Sequence, residues 1–161
     1  SSVDLADPFG GSFDEEQQMA VARDALDALD YGNRLHDVFE TIDFFEPLAP
    51  QLETFELSEK ERDMVRAFFN HPLIRDLTIE GVYKEYPFAL ETDESIASGF
   101  IDLLLESDKA FLVIDYKLKD IEKSAYVDQV EGYVEMLKTI TNKPVKGYLY
   151  SIMEKRFKEI V

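Results

Sequence analysis

Apolar residues near the start of the chain recur at intervals of three and four. Met19, Ala22, Leu26 and Leu29 form one stripe behind an acidic first turn at Glu15 and Glu16, with Asp14 as the N-cap. This predicts a helix ending near Tyr31-Gly32, then a second amphipathic helix through Leu35, Val38, Phe39 and Ile42, closed by Pro47 and Pro50. Ser58-Glu59-Lys60-Glu61 reads as a capping box, Ser at the N-cap and Glu three residues on, opening a helix with Met64, Val65, Phe68 and Phe69 that His71-Pro72 ends. From residue 79 the period becomes two. Val82 to Leu90, Ala97 to Leu105 and Phe111 to Leu118 read as strands, the last two an antiparallel hairpin turning over Glu106 to Lys109. Helical spacing returns over residues 122–141 through Tyr126, Val130, Tyr133 and Leu137, and Asn142 and Pro144 interrupt it. Val145 to Ile152 reads as a fourth strand; because it follows a helix, parallel pairing with an earlier strand is expected. Residues 1–13, rich in Gly, Ser, Asp and Pro and without a period, read as an extended lead-in to a single α/β domain over residues 14–161.

Composition narrows the class. At 161 residues and 45% hydrophobic, the chain has material for one core of ordinary domain size. It has no cysteine, which excludes disulfides, thiolate zinc sites, iron–sulfur clusters and cysteine nucleophiles. No apolar run approaches the roughly 20 residues of a membrane span, and the start has neither a basic nor an apolar signal segment, so a soluble, cytoplasmic protein without a membrane partner is expected. With Ser in place of Met at the start, a segment of a longer protein is expected, a processed start being the alternative. Thirty-four acidic against 17 basic residues give a net charge of −17, which at first sight argues against a nucleic-acid partner.

The strands change that picture. Phe111 to Leu118 alternates Phe111, Val113, Asp115 and Lys117 with Leu112, Ile114, Tyr116 and Leu118, apolar on both faces and therefore central. A carboxylate and an ammonium at the end of such a strand either emerge and pair with each other or water, or are buried for a purpose, since each costs several kcal/mol to desolvate uncompensated. The preceding strand carries a second carboxylate, Asp102, in another apolar run. If the two strands are adjacent, Asp102 and Asp115 converge on one cation, and hard oxygen ligands suit Mg²⁺ or Mn²⁺. Lys117, on the face of Asp115, is then placed to stabilise charge or orient a water. Gly99 either keeps backbone room beside the site or marks a bulge.

Five short motifs in order carry a family resemblance. Gly99-Phe100-Ile101-Asp102, Val113-Ile114-Asp115-Tyr116-Lys117 and Tyr126 to Tyr133 with Gln129 between them look like G-h-h-D, h-h-D-Y-K and Y-x-x-Q-x-x-x-Y, h being apolar. Upstream, Gly32-Asn33-Arg34-Leu35-His36 looks like G-x-x-x-H, and Glu85-Tyr86-Pro87-Phe88 like E-x-P-F. Over residues 32–152 the chain resembles the PD-(D/E)XK nucleases, and among them the RecB- and AddA-like nuclease domains of bacterial helicase–nucleases. Leu118 departs from the Ser or Thr that often follows the lysine. The absence of cysteine sets the chain apart from relatives with an iron–sulfur cluster.

The resemblance implies a restriction-endonuclease-like core, a central mixed β-sheet flanked by helices. It implies metal ligands at His36, Asp102, Asp115 and the backbone carbonyl of Tyr116, with Lys117 as the catalytic lysine. Glu85, Gln129 and Tyr133 are implied accessories; from their residues alone, Glu85 reads equally as solvent-facing, Gln129 as solvated and Tyr133 as half-buried packing. His71 has no such support. The implied activity is Mg²⁺- or Mn²⁺-dependent hydrolysis of DNA phosphodiesters in break repair and recombination. The implied partners are DNA ends or single strands, the helicase region of a parent protein and a partner subunit. The rival is a catalytically silent module of the same fold that docks DNA ends or protein. The charge itself is uneven: residues 1–116 hold eight basic and 27 acidic residues, net −19, and residues 117–161 hold nine and seven, net +2. An acidic total is thus compatible with DNA, and weak, salt-sensitive binding is expected.

Overall fold

A computed structural model describes residues 15–91 and 93–161; the lead-in over residues 1–13 and the N-cap expected at Asp14 lie outside the described residues. The chain divides into two units, Ser1–Asp37 and Val38–Val161. The described part of the first is helix α1 (Glu15–Thr41), whose last turn enters the second. Within the first unit the Arg34 guanidinium sits 5.3 Å from the centre of the Tyr31 ring. The two helices expected on either side of Gly32 are one. A single glycine costs a helix about 1 kcal/mol, too little to end it where helical spacing continues beyond.

In the second unit, short helix α2 (Leu48–Leu52) departs from the sequence pattern: Pro50 stands within its first turn, where a missing N–H costs nothing, rather than closing a helix. Helix α3 (Glu59–Asn70) opens with the expected capping box. The Glu61 amide donates to Ser58 Oγ, and the Ser58 amide to Glu61 Oε1, both at 3.1 Å. His71 ends α3 and caps helix α4 (Pro72–Arg75), its Nδ1 accepting from the Leu73 amide at 3.1 Å.

Strands β1 (Ile79–Glu91), β2 (Ile96–Ser107), β3 (Phe111–Lys117), β4 (Val145–Ser151) and β5 (Arg156–Glu159) make one mixed sheet in the order β1-β2-β3-β4-β5. β2 and β3 pair antiparallel as a hairpin; β3 and β4 pair parallel, joined through helix α5 (Ser124–Lys138). β5, four residues long, has no counterpart among the expected strands. Helix α5 packs Val130, Val134 and Leu137 on one face of the sheet against Ile101, Leu104, Val113, Val145 and Leu149. The other face is aromatic. Tyr116 stacks 4.7 Å from Phe39 and meets Phe68 at 5.4 Å, and Phe68 meets Tyr150 edge-on at 4.9 Å. The fold is thus α/β, a five-stranded mixed sheet flanked by helices, consistent with a restriction-endonuclease-like core, and β3 is its middle strand. Among the described residues no helix is long and apolar enough to cross a membrane.

Candidate active site

Everything in this site follows from β3 being central. The register that pairs Leu103 with Ile114 sets Asp102 beside Asp115 one step further along β2 and β3. The Asp102 carboxylate is fixed by the backbone of the neighbouring strand: its Oδ2 accepts the Tyr116 amide hydrogen at 2.9 Å. Asp115 is 2% exposed. Its Oδ2 lies 3.0 Å from the Lys117 ammonium, an ion pair without the alignment of a hydrogen bond. Burial first, and the Asp102 charge second, push the Asp115 carboxyl up to about 7, with Lys117 acting against them.

Glu85 adds a third carboxylate by an unusual route. It sits inside β1 at φ 49°, left-handed backbone that costs a non-glycine residue about 1–2 kcal/mol. Lys84 pairs with Leu103 and Tyr86 with Ile101, so Glu85 stands opposite Asp102, and carboxylate oxygens of the two come within 4.8 Å. The positive φ also reverses the facing of the strand. Tyr83 and Tyr86, three apart, meet ring to ring at 6.0 Å, which unbroken alternation forbids. Backbone strain of this kind gathers at functional sites.

Lys117 is held from three sides. Besides Asp115, its Nζ lies 3.4 Å from Gln129 Oε1 and 4.4 Å from the centre of the Tyr126 ring. Tyr126, Gln129 and Tyr133 follow one another at three and four residues, which puts them on one face of α5. Gln129 is exposed yet engaged. Tyr133 is buried, packing edge-on against Phe88 at 4.7 Å with its hydroxyl 3.4 Å from the Phe100 carbonyl. Burial, then Asp115 and Asp102, push its phenol up to about 12. Gly99 makes room for the Phe88 ring: a Cβ there would stand 2.8 Å from Phe88 Cε1.

Two residues to which the sequence assigned no role of their own join this neighbourhood. Tyr126 takes its place against Lys117, and its signal was available, since it stands three residues before Gln129. Lys84 donates to the carbonyls of Glu40, at 2.7 Å, and Ile42, fastening β1 to the end of α1 beside Glu85. Burial holds its ammonium below the ordinary lysine range. No sequence signal separates it from a solvated strand lysine. His36 lies on α1 within the first unit, on the other side of the Asp37/Val38 division from the carboxylates.

Three carboxylates and one ammonium leave a clustered negative charge that favours protons or a cation. The donors are hard oxygens, the chemistry of Mg²⁺ and Mn²⁺.

No family model matches the chain. It is similar to the A subunit of the ATP-dependent helicase/nuclease of Staphylococcus epidermidis, 29% identical over 164 residues covering 76% of this chain and 13% of that protein. The proteins of the same name from Staphylococcus aureus strains JH9 and NCTC 8325 are 33% identical over 114 residues, 55% of this chain and 9% of theirs. The chain therefore spans only a small part of the curated relatives it matches. By these likenesses it is a distant homologue, over part of its length, of the A subunits of ATP-dependent helicase/nucleases.

Proposed function

We propose that this chain is a nuclease domain of the PD-(D/E)XK type that hydrolyses DNA phosphodiesters with Mg²⁺ or Mn²⁺, within a helicase–nuclease of the AddA kind. The observation that carries the reading is the meeting of Asp102 and Asp115 on adjacent central strands with Lys117 3.0 Å from Asp115. Asp102, Asp115 and Glu85 would hold the cation, joined on the motif resemblance by His36 and the Tyr116 carbonyl. Bound there, a divalent cation supplies Lewis-acid polarisation of the phosphate and activation of a water.

The chain's own residues do the rest. Lys117 orients the attacking water and offsets charge that grows on the phosphate. Gln129, Tyr126 and Asp115 hold the ammonium at that position. Gln129, exposed on α5, borders the DNA backbone, and the buried Tyr133 packs beneath that face. The helicase region of the parent protein, with a partner subunit, delivers the DNA, which accounts for an acidic domain acting on a polyanion.

The test is cleavage of linear and circular, single- and double-stranded DNA with Mg²⁺, Mn²⁺ or chelator. Cleavage with either metal, none with chelator, and its loss in Asp115→Ala are expected. Equal cleavage by Asp115→Ala would refute the assignment, and Mn²⁺ binding without any cleavage would favour the silent module.

A further inference from the structure

Beside the carboxylates, on the α5 face of the sheet, lies a recess walled by Tyr83, Tyr86, Phe111, Leu104, Leu137 and Ile140. Two of its walls neighbour residues of the candidate active site along the strands. Tyr86 follows Glu85 in β1. Leu104 is two residues from Asp102 in β2, about 7 Å along the strand. On the nuclease reading, the recess therefore opens within about one or two nucleotides of the scissile phosphate.

Its aromatic wall is fixed in place. Tyr83 is 42% exposed, yet its ring lies over Gly81, where a Cβ would stand 3.0 Å from Tyr83 Cε2. The Tyr83 hydroxyl lies 3.4 Å from Glu106 Oε1, and the ring meets Tyr86 edge-on. Ile140 is 62% exposed on the opposite lip. Lys143 stands at the rim, 5.5 Å from the centre of the Phe111 ring; it is held by Glu106 at 2.8 Å and the Ser107 carbonyl at 3.0 Å, with Glu80 at 3.7 Å.

We propose that this recess is a base-stacking subsite that takes one nucleobase of single-stranded DNA adjacent to the nucleotide being cleaved. The inference rests on the nuclease reading and names its substrate class. The occupant follows from charge and shape. Glu80 and Glu106 at the rim oppose a phosphate, whereas a flat, uncharged base meets a rigid aromatic face and an apolar lip. Stacking contributes affinity that does not depend on counterion release, which a domain of net charge −17 cannot draw on widely. A base in a duplex is already stacked and paired, so the recess selects unpaired strands.

The test uses an oligothymidylate carrying one 2-aminopurine, in chelator so that nothing is cut. The parent should quench the fluorophore, Tyr83→Ala should not, and Tyr83→Phe should restore quenching. In Mn²⁺, Tyr83→Ala should raise KM for linear single-stranded DNA about tenfold or more. Free deoxyadenosine monophosphate at matched concentration should leave the quenching intact; its competing equally would overturn the strand as occupant. Cleavage of single strands by the parent, with no quenching and an unchanged KM in Tyr83→Ala, would overturn the subsite while the nuclease stands. A parent that quenches but cleaves no DNA would overturn the nuclease and leave the base-binding recess.

Discussion

The Lys117 ammonium lies 3.0 Å from Asp115 Oδ2, a carboxylate oxygen buried in the central strand of the sheet. One interaction opposes the burial that favours a protonated carboxyl and keeps the ammonium aimed. Lys117→Met should therefore do two things: reduce cleavage of linear DNA about a hundredfold or more, and raise the pH at which Asp115 gives up its proton. Single-turnover cleavage and Mn²⁺ titration calorimetry across pH read the two effects separately. A variant with parental cleavage would remove Lys117 from the chemistry.

Asp115 also sets the direction of pH dependence. Folded and free of metal, it keeps its proton to about 7; unfolded, it releases it near the ordinary aspartate value of 3.8. Folding takes up a proton between those values, so this group's contribution to stability falls as pH rises through that window, by up to about 1.4 kcal/mol per unit. In chelator the parent should lose more melting temperature between about pH 5 and pH 8 than Asp115→Asn does. A cation must displace that proton, so Mn²⁺ affinity should climb with pH up to about 7 and level off above it. Parallel melting profiles for the two proteins would contradict the buried, protonated carboxyl.

Glu85 faces Asp102 at the cost of left-handed backbone. Glu85→Gln keeps the shape and removes one of the converging charges. It should stabilise the metal-free protein slightly and weaken Mn²⁺ binding about tenfold. Urea unfolding in chelator and calorimetry with Mn²⁺ measure the pair, and unchanged metal affinity would return Glu85 to a purely structural role.

Gly147 offers a test of packing alone, at the contact of α5 with β4. A Cβ there would stand 2.6 Å from Val130 Cγ1 and 2.7 Å from Val134 Cγ2, where α5 lies against β4. Gly147→Ala should cost about 1–3 kcal/mol in urea unfolding, because two β-branched side chains in the core must yield.

The capping box of α3, the β2–β3 hairpin and the parallel β4 were all legible, because each rests on a local pattern: a cap, a short turn between alternating runs, a strand after a helix. Asp102 and Asp115 stood out for the same reason, charges in runs that are otherwise apolar on both sides. What escaped was whatever depends on tertiary partners. Gly32 read as a stop but sits inside α1. β5 is too short to show a period and exists as an edge partner of β4. Lys84 looks like any strand lysine until the end of α1 is brought to it. The left-handed backbone of Glu85, which the motif resemblance had already singled out, was equally hidden, since alternation is blind to a single dihedral of opposite sign.

That dihedral works as a crank. Lys84 is fastened to carbonyls at and just past the end of α1 on one side of Glu85, and the pairing of Tyr86 with Ile101 fixes the other, so the twist between them cannot relax by fraying. Turned to an ordinary strand value, it would swing Tyr86 and Phe88 away from α5 and uncover Tyr133. The part of β1 beyond Glu85 therefore keeps its allegiance to α5 through one backbone angle, and Lys84, the residue before it, inherits control over where the Glu85 carboxylate points.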